Sequence, residues 1–361
     1  MTVADGRPLV LFAENEAYES FLMFAAALRR RGLRVQRLTT RPPDRRARAR
    51  MLLQRLVFQR IDAVLDRSIR GGGVDTLPLP TSYGGCAALE ATEATAQALL
   101  RSGRRLGVPK TAHDEHLLYD KLALTRFAEA HGVAVPRTWS RLEDAPDGPL
   151  VVKGALGSGG SAVRVAQDRA SAQAAWRELA AASDTVFAQE FAGGPVHSVG
   201  GVAREGRMVA ASAYRSRPAD GKPLGPPAAV QPVADRAAME ATERLLGALG
   251  YTGMFCLDFV GAEAGGPLLV DLNPRVFGSW AALQRAGVDL VTAYMYAHDL
   301  HPTAPAPDGA RDGWWATAPF NGYLGKVGEA PTLNVAELRN FHRFLGWRWL
   351  TVRLLEVLMT R

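Results

Sequence analysis

The sequence is poor in the residues that crosslink chains or bind soft metals. Two cysteines, Cys86 and Cys256, are spread over 361 residues. Neither has a Cys-x-x-Cys spacing or a histidine cluster beside it, which excludes a disulfide framework and a Cys/His zinc site. A reducing, cytoplasmic setting is the resulting expectation. No apolar run reaches the about 18 residues of a membrane-crossing helix, and the apolar part of MTVADGRPLVLFAENEAY is too short for a signal peptide. Acids are scarce in one place, since a single acid, Asp44, stands among the many arginines between Arg29 and Arg60. Phe58 is the one aromatic there, not the interleaved set of a single-strand binder, and no recognition-helix module is visible, so the net charge of +7 does not indicate a nucleic-acid partner. Also missing is a Gly-x-Gly-x-x-Gly after the first apolar run, which argues against dinucleotide binding there.

What is present is an ordinary globular composition, 47% hydrophobic and 22% charged, in a chain long enough for two or three domains. PLVLFA reads as a buried strand, AYESFLMFAAALRRRG as a helix ended by Gly32, and LRVQRLT as a second strand. A helix from about Asp44 to Arg60, the short run IDAVLDRS, a Pro/Gly-rich stretch and a helix over AALEATEATAQALLRSGRRLG continue the alternation. Such alternation predicts an open parallel α/β domain over residues 1–112.

The middle of the chain changes style. YDKLALTRFAEAHGVAVPRTW reads as a helix stopped by Gly132. LVVKGALGSGGSAVRVA puts Lys153 on a strand that runs into a glycine loop, where backbone N–H groups can approach phosphate oxygens and the lysine supplies a point charge. Alone, the same pattern fits a hairpin turn with a surface lysine. VFAQEFAGG and GMFCLDFVG read as strands, the second with Asp258 in an apolar setting. Thirteen residues later comes Asp271 in PLLVDLNPRVFGSW, a separation that two strands and a hairpin connection span. Antiparallel pairing would bring the two acids side by side. Carboxylates that close need a cation between them, and an all-oxygen set of Asp, Asp and Asn suits Mg²⁺; two separate buried salt bridges are the alternative.

The order DK, VVK with its glycine loop, QEF, LDF and DLNPR resembles the ATP-grasp superfamily of carboxylate–amine ligases over residues 113–300. The resemblance implies an α/β and α+β chain. An N-terminal preATP-grasp domain (1–112) precedes a clamp of two subdomains, 113–188 with the glycine loop and 189–300 with the metal site, and residues 301–361 add a loop and a C-terminal helix. It implies that Lys121 and Lys153 contact nucleotide phosphates and that the mobile loop Gly157, Ser158, Gly159, Gly160 and Ser161 closes over them. Gln189, Glu190 and Phe191 would be the adenine-reading hinge. His197 stands where the family usually has a ribose-gripping glutamate. Asp258, Asp271 and Asn273 would hold Mg²⁺, with Mn²⁺ as an alternative, and aspartate replaces the family's frequent glutamate at 271. Arg275 would hold the transferring phosphate or the substrate carboxylate.

SAYRSRPADGKPLGPP places Arg215 and Arg217 on one face of a strand before a Pro/Gly loop, read as a substrate segment for a carboxylate-bearing partner or as a solvated hairpin. In the last segment Leu338, Phe341, Leu345, Trp349, Val352 and Leu355 recur at helical spacing among five arginines and two glutamates. A core-docking or dimer helix is favoured over one lying on a membrane surface. The expected activity joins a small-molecule carboxylate to an amine through an acyl phosphate, releasing ADP and phosphate, with an amino acid or small peptide among the substrates. A biotin- or bicarbonate-dependent carboxylase subunit and a non-catalytic nucleotide-binding module are the alternatives.

Overall fold

The computed structural model describes residues 9–13, 19–38, 60–62, 86–101, 109–157, 160–219, 222–261, 266–306 and 309–317. The helix expected from about Asp44 to Arg60 lies outside them except for Arg60, which opens a strand; the C-terminal helix, Ser158 and Gly159 also lie outside them.

The first sheet is parallel. Strands β1 (Leu9–Ala13), β2 (Arg34–Leu38), β3 (Arg60–Asp62) and β4 (Cys86–Ala91) pair in the order β3-β2-β1-β4. Helix α1 (Glu19–Arg30) crosses between β1 and β2. It holds no Pro or Gly, every residue from Phe21 to Leu28 is buried, and Gly32 ends it at φ +85°, a conformation that costs glycine nothing. One expectation is corrected here. Residues 86–91 form a strand beside β1, and among the described residues of that segment the helix is α2 (Glu93–Arg101). Ala, Leu and Glu favour helices, but pairing with a parallel strand outweighs a propensity worth about 0.5 kcal/mol per residue.

Helix α3 (Lys121–Ala130) is capped by the Asp120 carboxylate, which accepts from the N–H groups of Leu122 and Ala123. It leads into a second, antiparallel sheet. There β5 (Thr138–Trp139), β6 (Leu150–Gly154), β7 (Val163–Ala166) and β8 (Val186–Glu190) stand in the order β5-β8-β6-β7, covered by α4 (Arg169–Ala180).

The third sheet runs β13-β12-β9-β10-β11-β14. Its strands are β9 (His197–Arg204), β10 (Arg207–Ala219), β11 (Lys222–Pro232), β12 (Gly253–Val260), β13 (Leu268–Asn273) and β14 (Trp315–Ala316). Val199, Ala213 and Phe255 point to α5 (Arg236–Leu249) on one face. Val202, Tyr214 and Met254 point the other way, to α6 (Trp280–Ala286), α7 (Leu290–Ala297) and α1. Phe24 of α1 meets Trp280 and Tyr294 edge-on at 4.9 Å, fixing the first sheet's helix against the third sheet. KPLGPP, expected within a Pro/Gly loop, is instead the first part of strand β11. Register shifts beside Pro218 let the ladder with β10 continue where prolines offer no N–H.

Gly201 marks the tightest crossing in this sheet. A Cβ there would lie 2.6 Å from the Ala210 carbonyl oxygen and 2.8 Å from the Phe255 ring. Gly201→Ala is expected to destabilise the fold by about 2–3 kcal/mol through overpacking, read as a lower urea midpoint at unchanged m-value.

Candidate active site

The acids meet as the hairpin geometry requires. In the ladder of β12 and β13, Asp258 stands directly opposite Asp271, and Cys256 opposite Asn273. Period two then puts Asp258, Asp271 and Asn273 on one face. Ser198 on β9 faces Asp258 from the other side, and its hydroxyl donates to Asp258 Oδ1 at 2.6 Å.

Two lysines come to this face from the neighbouring elements. Lys121, the first residue of α3, places Nζ 2.5 Å from Asp271 Oδ1, while its backbone N–H donates to the Ala155 carbonyl. Lys153 projects from β6, is 6% exposed, and donates from Nζ to the Val270 carbonyl at 3.0 Å. Val270 is the extra residue of the irregularity between the Asp258–Asp271 and Phe259–Leu269 pairs, so the bulge turns a carbonyl toward the lysine. Burial, opposed in part by the Asp271 charge, pulls the Lys153 ammonium down to about 8. Burial and the facing Asp271 push Asp258 up to about 6.

Arg275 follows in the turn after β13. Its guanidinium donates to Asn273 Oδ1 at 3.0 Å and to the Val276 carbonyl at 3.2 Å. From the first sheet, Glu90, 2% exposed, accepts the Val276 N–H at 3.2 Å. Burial raises its carboxyl to about 7, against the pull of the Val276 N–H, Tyr294 and Arg275. A buried polar chain lies behind the acids: Tyr214 Oη is 3.1 Å from both Cys256 Sγ and Ser279 Oγ, and Cys256 Sγ is 3.8 Å from Asp258 Oδ1. Burial raises the Cys256 thiol well above its ordinary value, which keeps it protonated rather than nucleophilic.

The donor set fits a hard divalent cation. Two carboxylates and an amide oxygen converge, one acid already paired to an ammonium and the other raised toward neutrality by burial and by its neighbour's charge, so added positive charge relieves both. Among the described residues no group of three or more His, Cys, Asp or Glu is gathered to hold a metal ion, so the donor set here is two carboxylates and an amide.

A family model described as an ATP-grasp domain matches residues 118–279. This chain carries an ATP-grasp domain. Solved structures share its fold: the L-amino acid ligase from Bacillus licheniformis (15% identity, TM-score 0.55, 81% of this chain and 74% of that one), and N5-carboxyaminoimidazole synthetase from Staphylococcus aureus complexed with ADP (14%, 0.61, 84% and 80%). A third is the biotin carboxylase domain of Hydrogenobacter thermophilus 2-oxoglutarate carboxylase with MgADP and bicarbonate (14%, 0.61, 85% and 73%). No curated protein matches the chain. No helix among the described residues is long and apolar enough to cross a membrane.

Within this ATP-grasp domain the candidate residues fall into separate groups. Lys121, Lys153, Asp258, Asp271, Asn273 and Arg275 come together. Gly157 (φ +148°) and Gly160 (φ +77°) take conformations that suit glycine in the β6–β7 connection, and Ser161 follows them. At the end of β8, Gln189 is buried and donates to Thr138 Oγ1, Glu190 pairs with Arg137 at 3.0 Å, and Phe191 is exposed.

His197, Arg215 and Arg217 are not brought to the acids. His197 and Arg215 are cross-strand partners, one position along from Ser198 and Tyr214, and alternation turns them to the opposite face. There His197 meets Asp235 at 3.2 Å, Arg215 donates to Gln231, and Arg215 and Arg217 stack on Trp314 at 5.6 and 4.5 Å. The shared face expected for the two arginines is present, but it is the face turned away from Asp258. Sequence reasoning passed over Glu90, which sits in the segment expected as helix, and Ser198, whose pairing with Asp258 depends on strand register.

Proposed function

We propose that the protein is an ATP-dependent carboxylate–amine ligase that forms an amide or peptide bond through an acyl phosphate, with ADP and phosphate as products. Residues 1–112 act as the preATP-grasp domain, and 113–188 and 189–300 as the two halves of the clamp. The observation that carries this reading is the convergence of two lysines from one side and Asp258, Asp271 and Asn273 from the other.

Asp258, Asp271 and Asn273 would hold Mg²⁺, which when bound supplies charge neutralisation along a triphosphate. Lys121 and Lys153 bind phosphate oxygens, Lys121 exchanging its Asp271 partner for phosphate. Lys153 is cationic below about pH 8, and its desolvated ammonium attracts phosphate more strongly than a surface lysine does. Gly157 to Ser161 cover the phosphates and exclude water from the labile acyl phosphate. Gln189 to Phe191 read the adenine. Arg275, held against Asn273, orients the group under transfer and stabilises its charge. No side chain is needed as nucleophile, because the substrate carboxylate attacks the γ-phosphoryl group and the amine then displaces phosphate.

Amino acids offered in pairs with Mg·ATP, with product mass detection, should identify the substrates. With hydroxylamine as amine, an ATP- and Mg²⁺-dependent hydroxamate should form, in the Cys256→Ser variant too. Release of AMP and pyrophosphate instead would overturn the mechanism. Since the fold is shared equally with a bicarbonate-bound carboxylase domain, bicarbonate-dependent ADP release is the competing outcome.

The raised Asp258 carboxyl gives this reading a pH signature. Ionisation is required for metal binding, so Mg²⁺-dependent ADP affinity should fall as pH drops through about 6. Ser198→Ala removes a hydrogen bond that favours the ionised form, so the midpoint should move upward. A midpoint unchanged in the variant would detach Asp258 from the metal.

A further inference from the structure

Glu90 is a side chain of the first sheet that reaches the turn after DLNPR. It lies near the C-terminal end of parallel strand β4, the end at which such sheets present groups to ligands and neighbouring elements. Its carboxylate accepts the Val276 N–H at 3.2 Å, while the carbonyl of the same residue accepts from Arg275 at 3.2 Å. Arg275 reaches Asn273 Oδ1 with its other nitrogen. Val276 is thus gripped at both of its peptide groups, once by Glu90 and once by the arginine that orients the Asn273 amide. Val276 and Phe277 are buried, so without Glu90 the Val276 N–H would be a buried donor lacking its acceptor, which is destabilising. The turn would relieve that cost by rotating, and Arg275 would rotate with it.

We propose that Glu90 is a positioning residue: by accepting the Val276 N–H it fixes the 274–277 turn, and through Arg275 it aims the Asn273 side chain at the metal site. The first sheet thereby contributes to nucleotide binding without touching the nucleotide. This inference rests on the reading of Asn273 as a metal donor.

Two conservative variants separate position from charge. Glu90→Gln keeps an acceptor oxygen at the same reach, and Glu90→Asp keeps the charge but is one methylene shorter. Amide hydrogen exchange over residues 275–279 should be faster by about tenfold at Val276 in Glu90→Asp, the value of one lost hydrogen bond, and close to wild type in Glu90→Gln. ADP binding, measured by calorimetry with Mg²⁺ and with EDTA, should show the same split. Glu90→Asp should lose about tenfold of the Mg²⁺-dependent enhancement and little of the metal-free affinity, while Glu90→Gln retains both.

Wild-type behaviour of Glu90→Asp, or impairment of Glu90→Gln, overturns the proposal, as does equal loss of ADP affinity with and without metal. If wild type itself binds ADP no better with Mg²⁺, the reading of the metal site fails. Exchange at Val276 still decides whether Glu90 holds the turn.

Discussion

Asp271→Asn is expected to lower ATP-dependent phosphate release by about two orders of magnitude or more, because it removes one of two anionic donors from the metal set without changing side-chain volume. The fold should survive. The amide oxygen can still accept from Lys121, so the 2.5 Å contact becomes a weaker hydrogen bond and leaves no buried ammonium without a partner. Two measurements separate these effects. The melting temperature without ligand should shift by only a few degrees, and the stabilisation given by Mg·ADP over ADP with EDTA should vanish. Turnover near wild type at saturating Mg²⁺ would remove Asp271 from the site.

Lys153→Met should weaken Mg·ATP binding by about 10- to 100-fold, the cost of losing a charge-assisted contact from a desolvated cation, and weaken the amine substrate far less. Equal weakening of both would place Lys153 elsewhere. The same variant should be more stable than wild type when no nucleotide is present, because Met fills the volume without burying a charge. The folded pKa of Lys153, about 8, lies below the ordinary value of 10.5. Between these values the unfolded chain binds more protons than the folded one, so wild-type stability rises with pH across that window. The stability advantage of Lys153→Met should therefore shrink as pH is raised from 8 toward 10.5, measured as the difference in urea midpoints.

The site was legible where chemistry lies close in sequence. The spacing from Asp258 to Asp271 fits two strands and a hairpin, and the apolar residues around both acids suit strands, so the pairing seen in the ladder was within reach of period two and chain length. Lys153 was legible as a cation on a strand before a glycine loop. Contacts made across sheets left no such trace. The Lys121–Asp271 pair spans 150 positions and Glu90 to Val276 spans 186, and no local pattern encodes separations of that size. Glu90 was hidden further because CAALEA suits a helix in isolation and becomes a strand only when β1 is beside it. The prolines of β11 misled in the opposite direction, since they mark breaks in a ladder as readily as loops. Arg215 and Arg217 were correctly placed on a common face, but which face that was depended on register with β9.

The second sheet has a hydrophobic core of its own, built from residues such as Leu150, Val152, Leu179 and Ala188, separate among the described residues from the cores flanking the third sheet. It joins the remainder through the small cluster of Leu122, Ala155 and Phe187 and the two lysine contacts. Such a unit can melt by itself. Calorimetry of the ligand-free protein should resolve a minor endotherm for this sheet ahead of the main one, and a ligand gripped by Lys153 on one side and Asp271 on the other should merge the two into a single cooperative transition. The nucleotide would then act as the keystone of an arch, and cellular proteases would meet a looser molecule whenever ATP runs low.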